Sequence, residues 1–423
     1  MKRYEKYKPT GIQWLPEIPE HWNIKYLFQV SHEHYISNKD IHHQNLLSLS
    51  YGKIVHKDIN TTEGLLPASF DTYQIIEPGN IVFRFTDLQN DHKSLRVGLS
   101  KETGIITSAY IAVAVDKDYV LPEYFYYTLH SFDIKKLFYS MGSGLRQSLN
   151  YNGIRKLRLP IPPIDEQIKT IAYLDKRITL IEDCKCQRER ELQTLNELKQ
   201  AEIASVVTRG LNPDVPMKDS GIFWQPLIPQ NWSVTKLKHV LTKLDRPRGP
   251  EDELLVCSNS GEVKKRGDSK LGLVADSDEI YQGVRCGDLL IHGMDTWHGA
   301  IAVSNYNGMC TPVVHVCDSA QNKKYIALYL RNMANQKVFK LISNGVRQNT
   351  SDFRSWGKVG TILIPIPPIE EQNAIVEYIE SKTNKIDTMI EALKAEIDRL
   401  TEYKQRLISD VVTGQIDVRG EQI

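Results

Sequence analysis

The sequence lacks the cysteine pattern of a metal site or of a disulfide framework. Its six cysteines are scattered along 423 residues, and none belongs to a Cys-x-x-Cys pair. Cys184 and Cys186 lie two apart in a predicted helix, where their side chains point about 200° apart and cannot bind one metal ion. We therefore interpret all six as reduced structural thiols.

Long apolar runs are also missing. No segment approaches the roughly 20 apolar residues that cross a bilayer, and residues 1–10 are not followed by the apolar stretch of a signal peptide. We therefore expect a cytoplasmic protein that makes no membrane contact. A hydrophobic content of 41% is enough for two compact cores of about 150 residues each.

Motifs of nucleotide-hydrolysing and methyl-transferring enzymes are absent as well. There is no Walker A loop and no Asn-Pro-Pro-Tyr motif, and the Ile-Pro-Pro-Ile sequences lack the amide and the aromatic ring that hold a flipped base. The pair Gly142-x-Gly144 superficially resembles a Gly-rich AdoMet loop, but it follows a helix-like segment. These observations argue against the alternative of a fused methyltransferase or nuclease.

Two groups of residues would suit metal-dependent chemistry, but neither has a convincing pattern. Asp214 with Glu262 and Lys264 would serve a nuclease, yet Asp214 lies in a predicted linker. A histidine cluster has no recognised ligand spacing, and we interpret it as a solvated loop. It comprises His32, His34, His42 and His43. We assign no metal site and no cofactor to this chain.

The chain contains an internal repeat, in which four motifs occur twice. The copies are Gly11-Ile-Gln-Trp14 and Gly221-Ile-Phe-Trp224, Gly144-Leu-Arg-Gln147 and Gly345-Val-Arg-Gln348, Leu159-Pro-Ile-Pro-Pro-Ile164 and Ile364-Pro-Ile-Pro-Pro-Ile369, and Val206-Val-Thr208 and Val411-Val-Thr413. The predicted domains are a globular half (1–160), a helical segment (161–209), a second globular half (210–364) and a helical segment with a tail (365–423).

The net charge of +1 conceals an uneven distribution. Residues 1–160 carry 19 Lys and Arg against 16 Asp and Glu, and residues 210–364 carry 19 against 15, whereas the two helical segments are net acidic. A basic balance in both globular halves permits contact with DNA without requiring it.

The two helical segments have the pattern of a coiled coil. Neither 164–207 nor 369–412 contains Pro or Gly, and apolar residues recur at alternating steps of three and four. About 43 residues at 1.5 Å each span roughly 64 Å, about twice the diameter of a 150-residue domain. We predict two paired helices that end near Gly210 and Gly414. Polar positions in the seam either set the register or contact another chain; they are Lys185, Arg188, Lys199 and Glu202.

The globular halves have a mixed α/β pattern. Strand-like runs lie at 79–85, 104–115, 287–292 and 312–317, and amphipathic helical patterns lie near 122–139 and 323–342. The predicted fold class is α+β, with two mixed α/β domains, two long antiparallel helices and an internal pseudo-twofold repeat.

This duplicated order of globular half and Pro-Ile-Pro-Pro helix resembles the specificity subunits of type I restriction-modification enzymes across essentially the whole chain. The repeated motifs are similar to that family's repeat, as is the stretch 83–98. The resemblance implies two target recognition domains, which read the halves of a split, asymmetric site in double-stranded DNA and are held apart by the helices. It also implies a non-catalytic chain, two adenine methyltransferase subunits and restriction/translocase subunits as partners, with AdoMet, ATP and Mg²⁺ on those partners.

The Gly-x-Arg-Gln motifs are the first candidates for DNA contact. Gly permits close approach of the backbone, while Arg and Gln can contact phosphates or base edges. The alternative for each Arg is a salt bridge within its own domain. The predicted DNA-binding residues are Arg146, Gln147, Arg347 and Gln348, with Lys93, Arg96, Lys264, Lys265 and Arg266 from hairpin-like loops. A coiled-coil scaffold that binds no DNA is the second alternative, and nothing in the helices excludes it.

Overall fold

The computed structural model describes residues 2–41, 43–59, 69–86, 88, 91, 94–141, 149–267, 280–343 and 353–421. The chain forms two compact units. Unit 1 comprises Met1–Glu189 with Ala395–Ile423, and unit 2 comprises Arg190–Lys394. Each unit therefore contains one globular half and a portion of each of two long helices. No helix within the described ranges is long and apolar enough to cross a bilayer.

Unit 1 is built from short antiparallel strands. They are β1 (Tyr7–Ile12), β2 (Leu15–Pro19), β3 (Asn23–Tyr26), β4 (Ser31–His34), β5 (Ile36–Ser37), β6 (Leu47–Ser50), β7 (Lys53–His56), β8 (Gln74–Ile76), β9 (Ile81–Phe83), β10 (Val97–Leu99), β11 (Gly104–Ile106), β12 (Ile111–Val115) and β13 (Arg158–Ile161). The helices that follow or separate them are α1 (Leu27–Val30), α2 (Pro122–Ile134), α3 (Tyr151–Ile154) and α4 (Ile164–Arg209), the last of which continues into unit 2.

Unit 2 repeats this order. Its strands are β14 (Met217–Asp219), β15 (Leu227–Pro229), β16 (Ser233–Lys236), β17 (Thr242–Lys243), β18 (Leu255–Cys257), β19 (Val263–Lys265), β20 (Gln282–Val284), β21 (Leu289–His292), β22 (Ile301–Val303), β23 (Gly308–Cys310), β24 (Val314–Asp318) and β25 (Leu363–Ile366). Its helices are α5 (Leu237–Val240), α6 (Lys323–Asn335), α7 (Val338–Ile342), α8 (Trp356–Val359) and α9 (Ile369–Val412), which ends in unit 1.

The two units share one sheet topology. A four-stranded sheet has the order β10-β9-β12-β4 in unit 1 and β22-β21-β24-β17 in unit 2. In each unit a hairpin opens the globular half, and the strand of the Pro-Ile-Pro-Pro motif pairs with the strand after that hairpin, as β13 with β3 and β25 with β16. The predicted α+β class and the repeat are confirmed.

Three predicted elements end earlier than the sequence pattern suggested. The run 104–115 forms two strands, because a turn in which Tyr110 N donates to Thr107 O separates β11 from β12. The helical patterns after 122 and 323 stop at α2 and α6, because Lys136 and Lys337 both adopt a left-handed backbone with φ of 59°. The left-handed conformation is uncommon for residues other than glycine. Here it turns the chain at the same place in both units.

The glutamine of each Pro-Pro-Ile-x-Glu-Gln motif joins the start of a long helix to the globular half. Gln167 is fully buried; its side chain accepts from Leu121 N at 2.8 Å and donates to Pro162 O at 2.9 Å. Gln372 does the same with Asn322 N at 2.9 Å and Pro367 O at 2.8 Å. Because buried polar groups are costly when unpaired, this side chain fixes where the helix leaves its domain.

Each globular half also binds the end of the other long helix. Buried Tyr124 donates to Val412 O at 3.1 Å in unit 1, and buried Tyr325 donates to Val207 O at 3.3 Å in unit 2. These carbonyls belong to the Val-Val-Thr motifs, and helix ends leave carbonyls without an intrahelical partner. The Pro-Pro-Ile-x-Glu-Gln motif therefore anchors the start of each long helix in one unit. The Val-Val-Thr motif anchors its end in the other unit.

The predicted helix caps are confirmed. Gly210 and Gly414 follow α4 and α9 with φ of 77° and 71°, the conformation that favours glycine. A Cβ on Gly414 would lie 2.4 Å from Pro19 Cδ. Beyond this cap the chain returns to its own beginning, because Asp417 N donates to Lys2 O at 2.8 Å.

Within each unit the two long helices are antiparallel. In unit 1 Lys404 Nζ lies 2.6 Å from Glu182, and Arg188 lies 3.1 Å from Glu396, so partner numbers fall as residue numbers rise. In unit 2 Lys199 Nζ lies 2.6 Å from Asp387, and Tyr378 donates to Glu202. Three of the polar seam positions therefore pair with the other long helix, namely Arg188, Lys199 and Glu202. Of the two roles considered for these positions, this pairing favours setting the register over contacting another chain.

Candidate nucleic-acid interface

The first-choice candidates fall outside the described residues, but their surroundings are described. Arg146, Gln147, Arg347, Gln348 and Lys93 belong to segments of which the structure says nothing. In both units the chain reaches the Gly-x-Arg-Gln segment through a 13-residue helix, α2 or α6, then a left-handed lysine and a short helical turn. It leaves through a short helix, α3 or α8, into the Pro-Ile-Pro-Pro strand. The two segments are therefore held by equivalent elements.

The charged residues in the described stretches on either side of these segments are all basic. Residues 135–141 and 149–158 contain five cations and no carboxylate, and residues 337–343 and 353–363 contain four cations and no carboxylate. They are Lys135, Lys136, Arg155, Lys156 and Arg158 in unit 1, and Lys337, Lys340, Arg354 and Lys358 in unit 2. We call these nine residues the basic flanks. Sequence reasoning missed them, although the local lack of acidic residues was a usable signal.

Several of the flanking cations lie over aromatic rings. The Arg155 guanidinium lies 5.5 Å from the centroid of Phe28, which is 44% exposed, and Lys340 Nζ lies 5.6 Å from the centroid of Trp297. A ring attracts a cation through its quadrupole but carries no neutralising charge. The positive charge therefore stays available to an anion such as a phosphate.

In unit 2 a buried histidine fixes the chain directly after the Gly-x-Arg-Gln segment. His315 on β24 is 2% exposed and its Nε2 donates to Phe353 O at 2.8 Å. Burial lowers the pKa of His315, outweighing the hydrogen bond to Phe353, so the ring is neutral at pH 7. Arg354 follows at once and packs on the end of β21, where a Cβ on Gly293 would lie 2.9 Å from Arg354 Cα. The position of Arg354 is thus determined by the sheet.

Among the described residues of unit 2, a carboxylate lies in the turn beside these cations. Asp295, in the turn after β21, lies 3.4 Å from His292 Nδ1 and 3.9 Å from His298 Nδ1. Trp297, beneath Lys340, belongs to the same turn. The surface therefore combines cations, an aromatic ring and polar side chains, which are the groups that contact phosphates and bases.

Arg96 does not lie where a DNA contact requires. Its side chain is completely buried; it donates to Thr86 O at 2.9 Å and to the Asp91 backbone, and it lies 3.6 Å from the Asp91 carboxylate. Its own backbone N–H donates to buried Asp133. The prediction of Arg96 as a DNA-binding residue is therefore corrected: it connects the loop after β9 to α2.

Lys264, Lys265 and Arg266 lie at the end of the β18–β19 hairpin. Lys264 Nζ is 2.8 Å from Glu262, and Lys265 is paired with Glu253. Arg266 N donates to Leu254 O at 2.9 Å. The two lysines are exposed, but their neighbouring carboxylates offset their charge, so this hairpin attracts phosphate less than the basic flanks do.

The histidine cluster is not a solvated loop throughout. His32 and His34 belong to strand β4, which pairs with β12, and only His43 of the other two lies within the described residues. Among the described residues no group of three or more His, Cys, Asp or Glu side chains is arranged to hold a metal ion.

Comparison with known proteins finds relatives of one kind. No family model matches the chain. It is 24% identical over 451 residues to a protein of Methanocaldococcus jannaschii provisionally named the type I restriction enzyme MjaX specificity subunit, covering 98% of this chain and 97% of that protein. It is 22% identical to the type I restriction enzyme EcoBI specificity subunit of Escherichia coli, covering 74% and 70%.

The fold also matches a solved structure. A chain from a study of complex assembly and conformational transition of the type I restriction-modification system superposes with a TM-score of 0.69 at 14% sequence identity, covering 94% of this chain and 99% of that chain. The resemblance to type I specificity subunits is thereby confirmed over essentially the full length of the sequence.

Proposed function

We propose that this chain is the DNA-recognition subunit of a type I restriction-modification complex and reads a split, asymmetric site with its two globular halves. The observation that carries the proposal is the duplicated architecture shared with specificity subunits along the whole chain. Two basic flanks at equivalent places support it, because phosphate contacts dominate the affinity of DNA-binding proteins.

The site should be asymmetric because the two readers differ. Identical readers related by a twofold axis select a palindrome-like site. Here Phe28 and Arg155 of unit 1 have lysine and glycine at the corresponding places in unit 2, Lys238 and Gly360. Each half therefore presents its own set of contacts, and each reads its own half-site.

We assign the chemistry to the partners. The relatives are named specificity subunits, and the sequence has no methylation or translocation motif, so AdoMet, ATP and Mg²⁺ would belong to methyltransferase and restriction/translocase subunits. The chain's relatives come from a bacterium and an archaeon, whose chromosomal DNA lies in the cytoplasm, so the chain would work there.

Mapping methylated adenines in host DNA tests this function. With the chain and its partners present, we expect methylation at one bipartite motif, and without the chain we expect that methylation to vanish. Methyl transfer by the purified chain alone would instead support the enzyme alternative. The absence of a salt-dependent DNA shift by the assembled complex would support the scaffold.

The helices offer a surface for two copies of one partner. In unit 2 Leu198 and Met389 are 50% and 55% exposed, and they flank the Lys199–Asp387 pair. Their repeat counterparts in unit 1 are Tyr403, 44% exposed, and Cys184, which flank the Lys404–Glu182 pair. Cys184 is half-buried, but Leu198 and Tyr403 are exposed at equivalent positions, which suits two identical methyltransferase subunits.

We expect Leu198→Asp with Met389→Asp to remove one of the two methyltransferase copies. Two charges in an apolar contact should weaken binding to unit 2 by about 2–4 kcal/mol, which is the loss seen at interface hot spots. The surface of unit 1 is unchanged and should still bind its copy. Sedimentation or native mass spectrometry of the complex would give the stoichiometry. Leu341→Asp, at a 71% exposed position in α7 and outside α4 and α9, is the matched control. A complex with both copies intact would contradict the assignment.

A further inference from the structure

A loop of the four-stranded sheet occupies the same place in both units. In unit 1 it connects β9 to β10, and in unit 2 it connects β21 to β22. A backbone hydrogen bond closes the base of each loop: Arg84 N donates to Arg96 O at 2.8 Å in unit 1. In unit 2 His292 N donates to Ala300 O at 3.0 Å. Between these closing residues lie eleven residues in unit 1 and seven in unit 2, and we call the two segments the strand-connecting loops.

In unit 1 one buried side chain holds the strand-connecting loop. The Arg96 guanidinium is completely buried and donates to three backbone carbonyls of the loop and its base. They belong to Arg84 at 3.4 Å, Thr86 at 2.9 Å and Asp91. Its Nε also donates to the Tyr139 hydroxyl at 3.3 Å, and that hydroxyl donates to Asp91 O at 3.0 Å. Tyr139 lies in the helical turn that leads into the Gly-x-Arg-Gln segment, so Arg96 ties the loop to the entrance of that segment.

Stability alone does not account for this arrangement. Arg96 N also donates to the Asp133 carboxylate on α2, which is itself completely buried. Burial raises the pKa of Asp133 to about 6, which reflects the cost of keeping a charge there. Buried charged groups are often no more stabilising than well-packed apolar side chains in their place. What a planar guanidinium adds is direction, because its five N–H donors fix the positions of the acceptors around it.

Unit 2 joins the same two segments with alanine at both buried positions. The counterparts of the buried arginine and aspartate are Ala300, at the base of the loop, and Ala334, three residues before the left-handed lysine. Both alanines are buried. The loop meets α7, which follows that lysine, through another contact: Lys340 Nζ lies 5.6 Å from the ring centroid of Trp297 in the loop. The contact between the loop and the chain before the Gly-x-Arg-Gln segment is therefore common to both units, while the groups that make it differ.

We propose that Arg96 is a positioning residue for DNA recognition by unit 1, holding the strand-connecting loop and the Gly-x-Arg-Gln segment in one arrangement so that both contact the same half-site. The inference deepens the proposed function and rests on it. Arg96 touches no DNA itself, because its side chain is completely buried. It acts through the loop that carries the candidate Lys93 and through the segment that carries the candidates Arg146 and Gln147. Base readout depends on the geometry of side chains at base edges, so loosening either segment costs discrimination before it costs general affinity.

Arg96→Met and Tyr139→Phe test this role in the assembled complex. Arg96→Met keeps an unbranched side chain but has no donors, and Tyr139→Phe removes only the hydroxyl. For both variants, mapping methylated adenines in host DNA should show a relaxed preference at one half-site of the bipartite motif, with the other half-site and the spacing unchanged. In binding isotherms of Arg96→Met, affinity for the specific duplex should fall about tenfold or more, and affinity for unrelated DNA by less than about threefold.

Tyr126→Phe is the matched control. Tyr126 is a half-buried tyrosine of α2 whose hydroxyl donates to Gly52 O at 3.2 Å, in the β6–β7 turn and not in the strand-connecting loop. It should leave both half-sites unchanged. A merely structural role of Arg96 would lower the amount of complex and of methylation without altering the motif. That result would overturn the proposal, as would relaxation of both half-sites.

If Arg96→Met prevents unit 1 from folding, seen as the loss of its melting transition, Tyr139→Phe decides, because Tyr139 is half-buried and its ring is retained. One relaxed half-site then supports the proposal, and an unaltered motif overturns it. Failure of the proposed function is a separate result: the methylated motif would persist when the whole chain is deleted.

Discussion

Replacing Lys340 and Arg354 by glutamine is expected to weaken the binding of all DNA sequences alike and to reduce its dependence on salt. Both cations belong to the basic flank of unit 2, where Lys340 lies over Trp297 and Arg354 is seated on the end of β21. Each lost phosphate contact lowers the slope of log affinity against log salt by about 0.9. Two contacts correspond to roughly a 10- to 100-fold loss of affinity near 0.1 M salt.

Arg347, which lies between these two cations in the sequence, should behave differently. If its guanidinium reads a base edge, Arg347→Ala costs about 1–3 kcal/mol for the correct half-site and relaxes the preference there, with a smaller change on unrelated DNA. Binding isotherms of the assembled complex at several salt concentrations, on specific and unrelated duplexes, separate the two effects.

Lys394→Gln is the matched control for these substitutions, since Lys394 is a cation of the same unit on α9, 2.9 Å from Glu391. It should change neither affinity nor slope by a comparable amount. An unchanged slope for the Lys340 and Arg354 variant would show that the basic flanks do not face the phosphates.

Replacing Ile416 and Val418 together by alanine is expected to destabilise unit 1 strongly. Both side chains are almost completely buried in its core, and full burial of such a side chain contributes about 1.5–3 kcal/mol before any cavity is counted. The pair should therefore cost roughly 3–6 kcal/mol. At about 2–4 °C per kcal/mol for a unit of this size, the melting transition of unit 1 should fall by roughly 10 °C or more.

Leu211→Ala provides the comparison, because Leu211 follows the cap of α4 as Ile416 follows the cap of α9 but is 40% exposed. We expect a shift of no more than a few degrees. Differential scanning calorimetry of the full chain measures both. A small effect of the double substitution would mean that the tail is dispensable for the stability of unit 1.

The charged residues show where sequence reasoning stopped. Lys264 and Arg96 appear equivalent in the sequence, as cations near predicted hairpins, yet Lys264 is exposed beside Glu262 and Arg96 is buried beside Asp91. Burial of a guanidinium depends on backbone carbonyls and a carboxylate contributed by other segments, and these neighbours are set by the fold. The basic flanks could have been recognised from the local lack of acidic residues. Only the structure shows that the chain turns at a left-handed lysine before each Gly-x-Arg-Gln segment, so that the two flanks follow equivalent helices in their units.

The sequence by itself determined the duplication, the two long helices and their ends. Three local features marked the helices: the hydrophobic period, the lack of Pro and Gly, and the capping glycines. Each depends on residues close together in the chain, so it can be recognised without knowing the fold. Tertiary structure decided that each globular half binds the start of one helix through Gln167 or Gln372 and the end of the other through Tyr124 or Tyr325. It also decided that Ile416 is buried while Leu211 is exposed. Such contacts join residues that are distant in the chain, and their free energy comes from desolvation and packing that no local pattern encodes.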